Sequence, residues 1–406
     1  MFLIKHFLGN KYERVNKIID SFNETGKDYI NMEACCSLPF QSVLEAQKSP
    51  IYLLPTEGNI GKRYFPNMQS IEEIDKYSEE IILKLFNLKN TQYGVNIQPH
   101  SGTQANQIVY NAILKNNDTV LSLDPKSGGH ISHNKFCKTI HVVNFGLKND
   151  TEIDYDEIEQ LTIKYSPKLI IIGASSFCNN INYQSIINIA HKYNALVLAD
   201  LCHTVLYVLG NKFTSPFPNV DFVTFTMDKT LRGPQGGILI YNKKYEQKIN
   251  YSVFPLTQGG PLQSIQFAKL LACVELSNIN IMEYATSVQE NAKTMNDIFK
   301  QNNIQTFCSD SKTHIILLNT KQFNLTGEET ESLLFQNHIL ANKNLIPGDQ
   351  NSPEVTSGIR LGTTVLTNLN YTKEDIIDLT DYISIIFKNK IVSKKYLQFI
   401  EKYNKF

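Results

Sequence analysis

Met227-Asp228-Lys229-Thr230-Leu231-Arg232-Gly233-Pro234-Gln235-Gly236-Gly237 is the stretch whose reading decides the fold. A β-rich run, 221–226, leads into it, and a second, 237–241, leaves it. A single lysine at the end of a core strand, followed by a glycine-rich turn, is where a lysine that condenses with an aldehyde would sit. Burial at such a place disfavours the ammonium and leaves the amine nucleophilic. Taken alone, most lysines of this kind are surface loop residues.

Two upstream features change that balance. Ala199-Asp200-Leu201-Cys202-His203 closes the apolar run 195–198. An aspartate at the C-terminal edge of a parallel sheet faces the ligand crevice of open α/β folds. Pyridoxal phosphate needs such an acidic partner to keep its ring nitrogen protonated, because that charge makes the ring an electron sink. Earlier still, His100-Ser101-Gly102-Thr103-Gln104-Ala105-Asn106 introduces a helix-like 108–114. Hydroxyls and backbone N–H groups at a helix N-terminus suit a phosphate. Each feature alone is ordinary; phosphate loop, aspartate and lysine in that order are far more specific.

Around these motifs the middle of the chain alternates short strand-like runs (119–124, 139–145, 169–173, 195–200, 221–226 and 237–241) with amphipathic stretches at 155–165 and 184–193. That alternation predicts an α/β fold with a mostly parallel sheet covered on both faces. Upstream, Ser70-Ile71-Glu72-Glu73 reads as a capping box opening a helix. After residue 275 the texture changes to a helical 282–299, a strand-like 313–319, more helix and a strand-like 358–364. The expected organisation is an N-terminal arm (1–20), a large domain (21–275) and a smaller C-terminal α+β domain (276–406).

The bulk properties fit a globular protein with a sizeable core. The 406 residues are 42% hydrophobic, enough for a sizeable core. Lys plus Arg and Asp plus Glu are both 39, so the formal charge is zero. No electrostatic footprint for nucleic acid or an anionic membrane follows from that balance. The seven cysteines are scattered apart from Cys35-Cys36, and indicate neither a disulfide framework nor a metal cluster. No run is long and apolar enough to span a membrane, and no secretory leader is evident, so a cytoplasmic protein is expected.

The chain resembles the serine hydroxymethyltransferase family, which are fold-type I pyridoxal-phosphate transferases. The matching blocks are Glu57-Gly58 with Gly61-Lys62-Arg63-Tyr64, Gln98 through Asn106, Gly128-Gly129-His130-Ile131-Ser132-His133 and Gly173-Ala174-Ser175. They continue with Asp200-Leu201-Cys202-His203, Asp228 through Pro234, Val253-Phe254-Pro255, Gln258-Gly259-Gly260-Pro261 and Thr356 through Gly362. The resemblance implies that Lys229 tethers the cofactor aldehyde, Asp200 pairs with the ring nitrogen and His130 stacks on the ring. Ser175 and His203 would lie near the ring oxygen, with Thr226 beside the cofactor. Ser101, Gly102 and Thr103 would hold the phosphate, with Gly259 and Gly260 reaching in from a partner subunit of a homodimer. Arg360 would clamp the substrate carboxylate bidentately, Glu57 would handle protons near the substrate hydroxyl, and Tyr64 would line the substrate site. No metal ligand is implied.

Several positions depart from the family pattern. Pro55 and Phe65 stand where tyrosines are usual, and Asp228 replaces the histidine before the lysine. Pro125 and Gly348 replace a leucine and an asparagine that face folate in the family, and Lys126-Ser127 replaces Ala-His. Cofactor groups are kept while second-substrate groups change. The expected function is therefore cleavage or formation of the Cα–Cβ bond of a small β-hydroxy amino acid, with an aldehyde co-substrate and without tetrahydrofolate. A folate-dependent hydroxymethyltransferase and a non-catalytic dimeric scaffold are the alternatives.

Overall fold

In the computed structural model, which describes residues 6–7, 9–307 and 311–390, the apolar runs of the middle third form one seven-stranded sheet. Its strands are β1 (Tyr93–Asn96), β2 (Thr119–Leu123), β3 (His141–Phe145), β4 (Leu169–Ile172), β5 (Leu196–Asp200), β6 (Phe222–Thr226) and β7 (Gly237–Asn242). They lie in the order β1-β7-β6-β5-β4-β2-β3. All are parallel except β7, which runs against both of its neighbours.

The sequence of β4, Leu-Ile-Ile-Ile, explains why the sheet is covered twice. Every residue is fully buried, and alternate side chains enter opposite layers. Ile170 and Ile172 join the larger core, with Ile186 and Ile187 of a helix at Tyr183–Lys192. Leu169 and Ile171 join the opposite core, with Ile108 and Val109 of a helix at Gly102–Ile113. Burying each such side chain contributes roughly 1.5–3 kcal/mol before entropy is set against it.

A second, three-stranded antiparallel sheet follows, built from β8 (Ile315–Asn319), β9 (Asn342–Asn344) and β10 (Gly358–Gly362) in the order β8-β10-β9. It has its own core. The passage between the cores runs inside one helix, Ile281–Gln301, and not through a linker. Ala285 and Val288 pack on the larger core, while Ala292, Met295 and Phe299 pack on the second. Ile30 and Met32 also belong to the second core, and Ile30 pairs in parallel with Ile339.

Two local expectations need correction. The capping box at Ser70 is absent: the helix Gln69–Leu85 starts two residues earlier than a Ser70 cap requires, and its N-cap, Met68, makes no side-chain cap bond. The edge strand β1 was not anticipated. Cys178 is disulfide-bonded, a single bond in a chain whose scattered cysteines indicate no disulfide framework. Among the described residues, no helix is long and apolar enough to cross a membrane.

Candidate active site

The parallel strands all end on one side of the sheet, and the sequence places its chemistry there. Lys229 lies just past β6, in a turn held by the Met227 N–H on the Gly236 carbonyl (3.2 Å) and the Gly233 N–H on the Met227 carbonyl (2.8 Å). Glycine is needed at 233, because a Cβ there would lie 2.6 Å from that of Met227. Arg232, at φ 56°, donates to the Leu38 carbonyl at 3.0 Å and lies 4.4 Å over the Phe40 ring, which pins the turn from outside.

Lys229 Nζ is 3.1 Å from His203 Nε2. Asp200, the last residue of β5, is buried. Its Oδ2 accepts from His133 Nε2 and from Asn106 Nδ2, both at 2.8 Å, and its Oδ1 from the Cys202 N–H at 3.0 Å. Asn106 is itself fixed by the Thr224 hydroxyl at 2.6 Å. Burial alone would push the Asp200 carboxyl up, but the bonds from His133, Cys202 and Asn106 outweigh it and hold the group well below the usual range. The carboxylate is thus kept anionic at the floor of the site.

Ser101 caps the helix Gly102–Ile113, accepting the Gln104 N–H at 3.1 Å, so the helix N-terminus opens toward the strand ends. His130 Nδ1 accepts the Ser132 N–H at 3.2 Å, and burial lowers this imidazole to about 4. The ring is therefore neutral with its proton on Nε2.

These elements enclose a cavity of about 160 Å³. Nine expected residues line it: Ser101, Gly102, Thr103, His130, Ser175, Asp200, His203, Thr226 and Lys229. His133 and Asn106 lie within the sequence motifs, but their roles come from contacts with Asp200 that span distant segments and that no local spacing discloses. Arg360, on β10, is not in the lining but lies against it. Its Nη1 donates to the Ser175 carbonyl at 2.6 Å and its Nε to Asn342 Oδ1 at 3.0 Å.

Glu57, Tyr64, Gly259 and Gly260 are not in that lining; they gather elsewhere on the same chain. A Cβ on Gly259 would lie 3.4 Å from Glu57 Oε1, and one on Gly260 would lie 3.7 Å from Glu57 Cγ. Tyr64 is 71% exposed, its ring edge-on to Phe254 at 5.5 Å. Phe65 packs against the larger core, Pro125 is half-buried, and Pro55 and Gly348 are exposed. Burial raises the Asp228 carboxyl.

One further cluster was not foreseen. Among the described residues, Glu33, Cys35 and Cys36 bring their ligand-type atoms within 4.8 Å of one another, and the Cys36 thiol donates to Glu33 Oε2 at 3.3 Å. The neighbouring Cys36 thiol, followed by the charges of Arg360 and Lys229, lowers the Cys35 thiol against the opposing effect of burial.

Comparison with known proteins accords with this geometry. The family model described as serine hydroxymethyltransferase matches residues 8–383. A serine hydroxymethyltransferase of Methylobacillus flagellatus is 33% identical over 377 residues, 92% of this chain and 90% of that protein. One from Francisella tularensis subsp. novicida is 35% identical over 377 residues, 91% of this chain and 89% of its own length. A third, from Cupriavidus necator, is 33% identical over 375 residues, 91% and 89% of the two chains. With nearly the whole length matched, and with lysine, aspartate and helix N-terminus meeting at one sheet edge, this chain belongs to the serine hydroxymethyltransferase family, an enzyme family of fold-type I pyridoxal-phosphate transferases.

Proposed function

We propose that the chain uses pyridoxal phosphate to cleave or form the Cα–Cβ bond of a small β-hydroxy amino acid such as serine or threonine, releasing or capturing an aldehyde without tetrahydrofolate. The observation that carries this reading is the cavity in which Lys229, Asp200 and the capped helix N-terminus converge. The donor set there fits the cofactor. Thr226 Oγ1 is buried with no hydrogen-bond partner. Ser101, Thr103 and the free N–H groups of the helix Gly102–Ile113 suit a phosphate. The anionic Asp200 suits a protonated ring nitrogen.

Lys229 would hold the cofactor, Asp200 would keep the ring nitrogen charged, and His130 and His203 would pack against and beside the ring. When bound, the cofactor supplies a ring that accepts the electrons of a broken Cα bond. Arg360, already oriented by Ser175 and Asn342, would fix the substrate carboxylate and so set which Cα bond lies perpendicular to the ring. Glu57 would accept the β-hydroxyl proton as the aldehyde leaves.

The residues that stand apart from the cleft fit a shared site. In this reading, two copies pair so that Glu57, Tyr64, Gly259 and Gly260 of one complete the cleft of the other. Each copy would comprise an arm (1–20), a large domain (21–275) and a small domain (276–406), with residues 30–32 carried on the small domain's core.

The preference for a folate-independent reaction rests on Pro55, Phe65, Pro125 and Gly348. Phe65 packs on the core, and Gly348 offers no side chain. The names of the relatives favour a second reading, in which serine is the hydroxymethyl donor. Turnover of serine, threonine and glycine with and without tetrahydrofolate decides between them. Folate-independent aldehyde release supports the first, and serine turnover that strictly requires folate replaces it with the second.

A further inference from the structure

The loop that carries Cys35 and Cys36 is fixed at both ends. On one side the Gly362 N–H donates to the Met32 carbonyl at 2.7 Å, and a Cβ on Gly362 would lie 2.5 Å from the Ala34 Cα. The Asn31 side-chain oxygen accepts the Glu33 N–H at 2.9 Å. On the other side the Ser37 hydroxyl donates to the Asp228 carbonyl at 2.8 Å, and the Leu38 N–H to Asn368 Oδ1 at 3.0 Å. Between these anchors the chain makes a turn, closed by the Cys36 N–H on the Glu33 carbonyl at 3.1 Å. That turn gathers one carboxylate and two thiols into one small volume, and all three residues are half-buried.

The spacing of these donors suits a tetrahedral ion. Zinc takes thiolate sulfur at about 2.3 Å and carboxylate oxygen at about 2.0–2.2 Å, so neighbouring donors on its tetrahedron lie about 3.5–3.8 Å apart. Cys36 Sγ is 3.3 Å from Glu33 Oε2, and the ligand-type atoms of all three residues lie within 4.8 Å of one another. The excess over a tetrahedral edge is at most about 1.3 Å, which side-chain rotation covers. Charge also fits, because two thiolates and a carboxylate around a divalent ion leave a single negative charge. Arg360 supplies the counter-charge: burial disfavours its cation, and Cys35, Glu33 and Cys36 oppose that effect.

We propose that Glu33, Cys35 and Cys36 form a zinc site at the edge of the cleft, with the fourth position open to water. On binding, both thiols lose their protons to solvent, and the ion takes the place of the proton that Cys36 shares with Glu33. Thiolate donors select zinc over the harder calcium and magnesium ions. Adjacent cysteines lack the Cys-x-x-Cys spacing by which zinc sites are read from sequence; here the turn supplies the third donor. The site is made of the chain's own donors and stands or falls independently of what the cleft catalyses.

The test titrates the purified full chain, handled without oxygen or added thiols, with Zn2+ against a chromophoric chelator and with Co2+ as a spectroscopic probe. Wild type should bind one zinc ion per chain. Its Co2+ form should show thiolate-to-cobalt charge transfer together with the visible bands of a tetrahedral ion. Cys35→Ser and Cys36→Ser should each diminish the charge-transfer band. Either change, and Glu33→Gln, should weaken zinc binding by more than the roughly 10–100-fold that loss of an outer-shell partner costs. Cys137→Ser, at an exposed thiol outside the cluster, should alter neither readout. A wild-type Co2+ form without thiolate charge transfer overturns the inference, as does a band unchanged in either cluster variant, a zinc affinity unchanged in Glu33→Gln, or loss of the signal in Cys137→Ser. If a variant does not fold, alkylation of wild type mapped by peptide mass decides: zinc that protects Cys35 and Cys36 supports the site, and unchanged alkylation rates overturn it.

Discussion

Lys269 is 1% exposed, and its ammonium donates to the carbonyls of Ile97, Pro99 and Gly237 at 2.7, 2.8 and 2.9 Å. Those carbonyls flank the loop that leads to Ser101, so this lysine ties the phosphate loop to the start of β7. Burial lowers its pKa to about 7. Between that value and the ordinary lysine range the unfolded chain binds more protons than the folded one, so stability from this group rises with pH from about 7 toward 10. Lys269→Met should cost about 3 kcal/mol at neutral pH by stranding the carbonyls, and should flatten that rise; denaturant midpoints at pH 7 and pH 10 would measure both. A second residue-scale prediction concerns Cys35. Its alkylation, followed by peptide mass mapping, should titrate below the ordinary thiol range, and Cys36→Ala should move the midpoint upward because the thiol that lowers it is gone. Neither residue was legible in the sequence. A lysine inside a helix reads as a surface residue, and the three carbonyls that hold Lys269 come from segments far away in the chain.

The helix Gly102–Ile113 shows what a sequence discloses at the scale of elements. Ser101 at its N-cap and the apolar face containing Ile108 and Val109 follow from local rules, and both are present. Gly102 is explained only by packing, since a Cβ there would lie 2.8 Å from both Cys202 Sγ and Thr226 Cγ2. Gly102→Ala should therefore cost about 1–3 kcal/mol in thermal or denaturant unfolding and weaken pyridoxal-phosphate binding. Ser101→Ala should cost about 1 kcal/mol through the lost cap. The six central strands were readable because short β-branched and aromatic-rich apolar runs between turns have few other uses. The strand Tyr93-Gly94-Val95-Asn96 was not, since it is short and carries a glycine. That glycine lies against the Tyr241 ring, where a Cβ would come within 2.7 Å. The false capping box at Ser70 shows the opposite error: the residue pattern was there, but the helix begins before it.

The whole molecule divides its expected machinery between two places. Cofactor-side residues line one cavity, while Glu57, Tyr64, Gly259 and Gly260 collect elsewhere. Chain order revealed the first group, but no spacing rule could reveal that the second lies apart. If two copies share their sites, mixing inactive Lys229→Ala with inactive Glu57→Gln under subunit exchange should restore about a quarter of wild-type activity, because half of the dimers are mixed and each has one intact site. No restoration, with mixed dimers verified by mass, would place Glu57 within its own chain's site. Everything rests on Lys229 carrying the cofactor, and the most direct measurement is the visible spectrum of the purified chain saturated with pyridoxal phosphate. The protein should show the absorbance of a lysine-bound cofactor, and Lys229→Ala should lack it. A wild-type spectrum with no such band, or an unchanged band in the variant, would contradict the assignment.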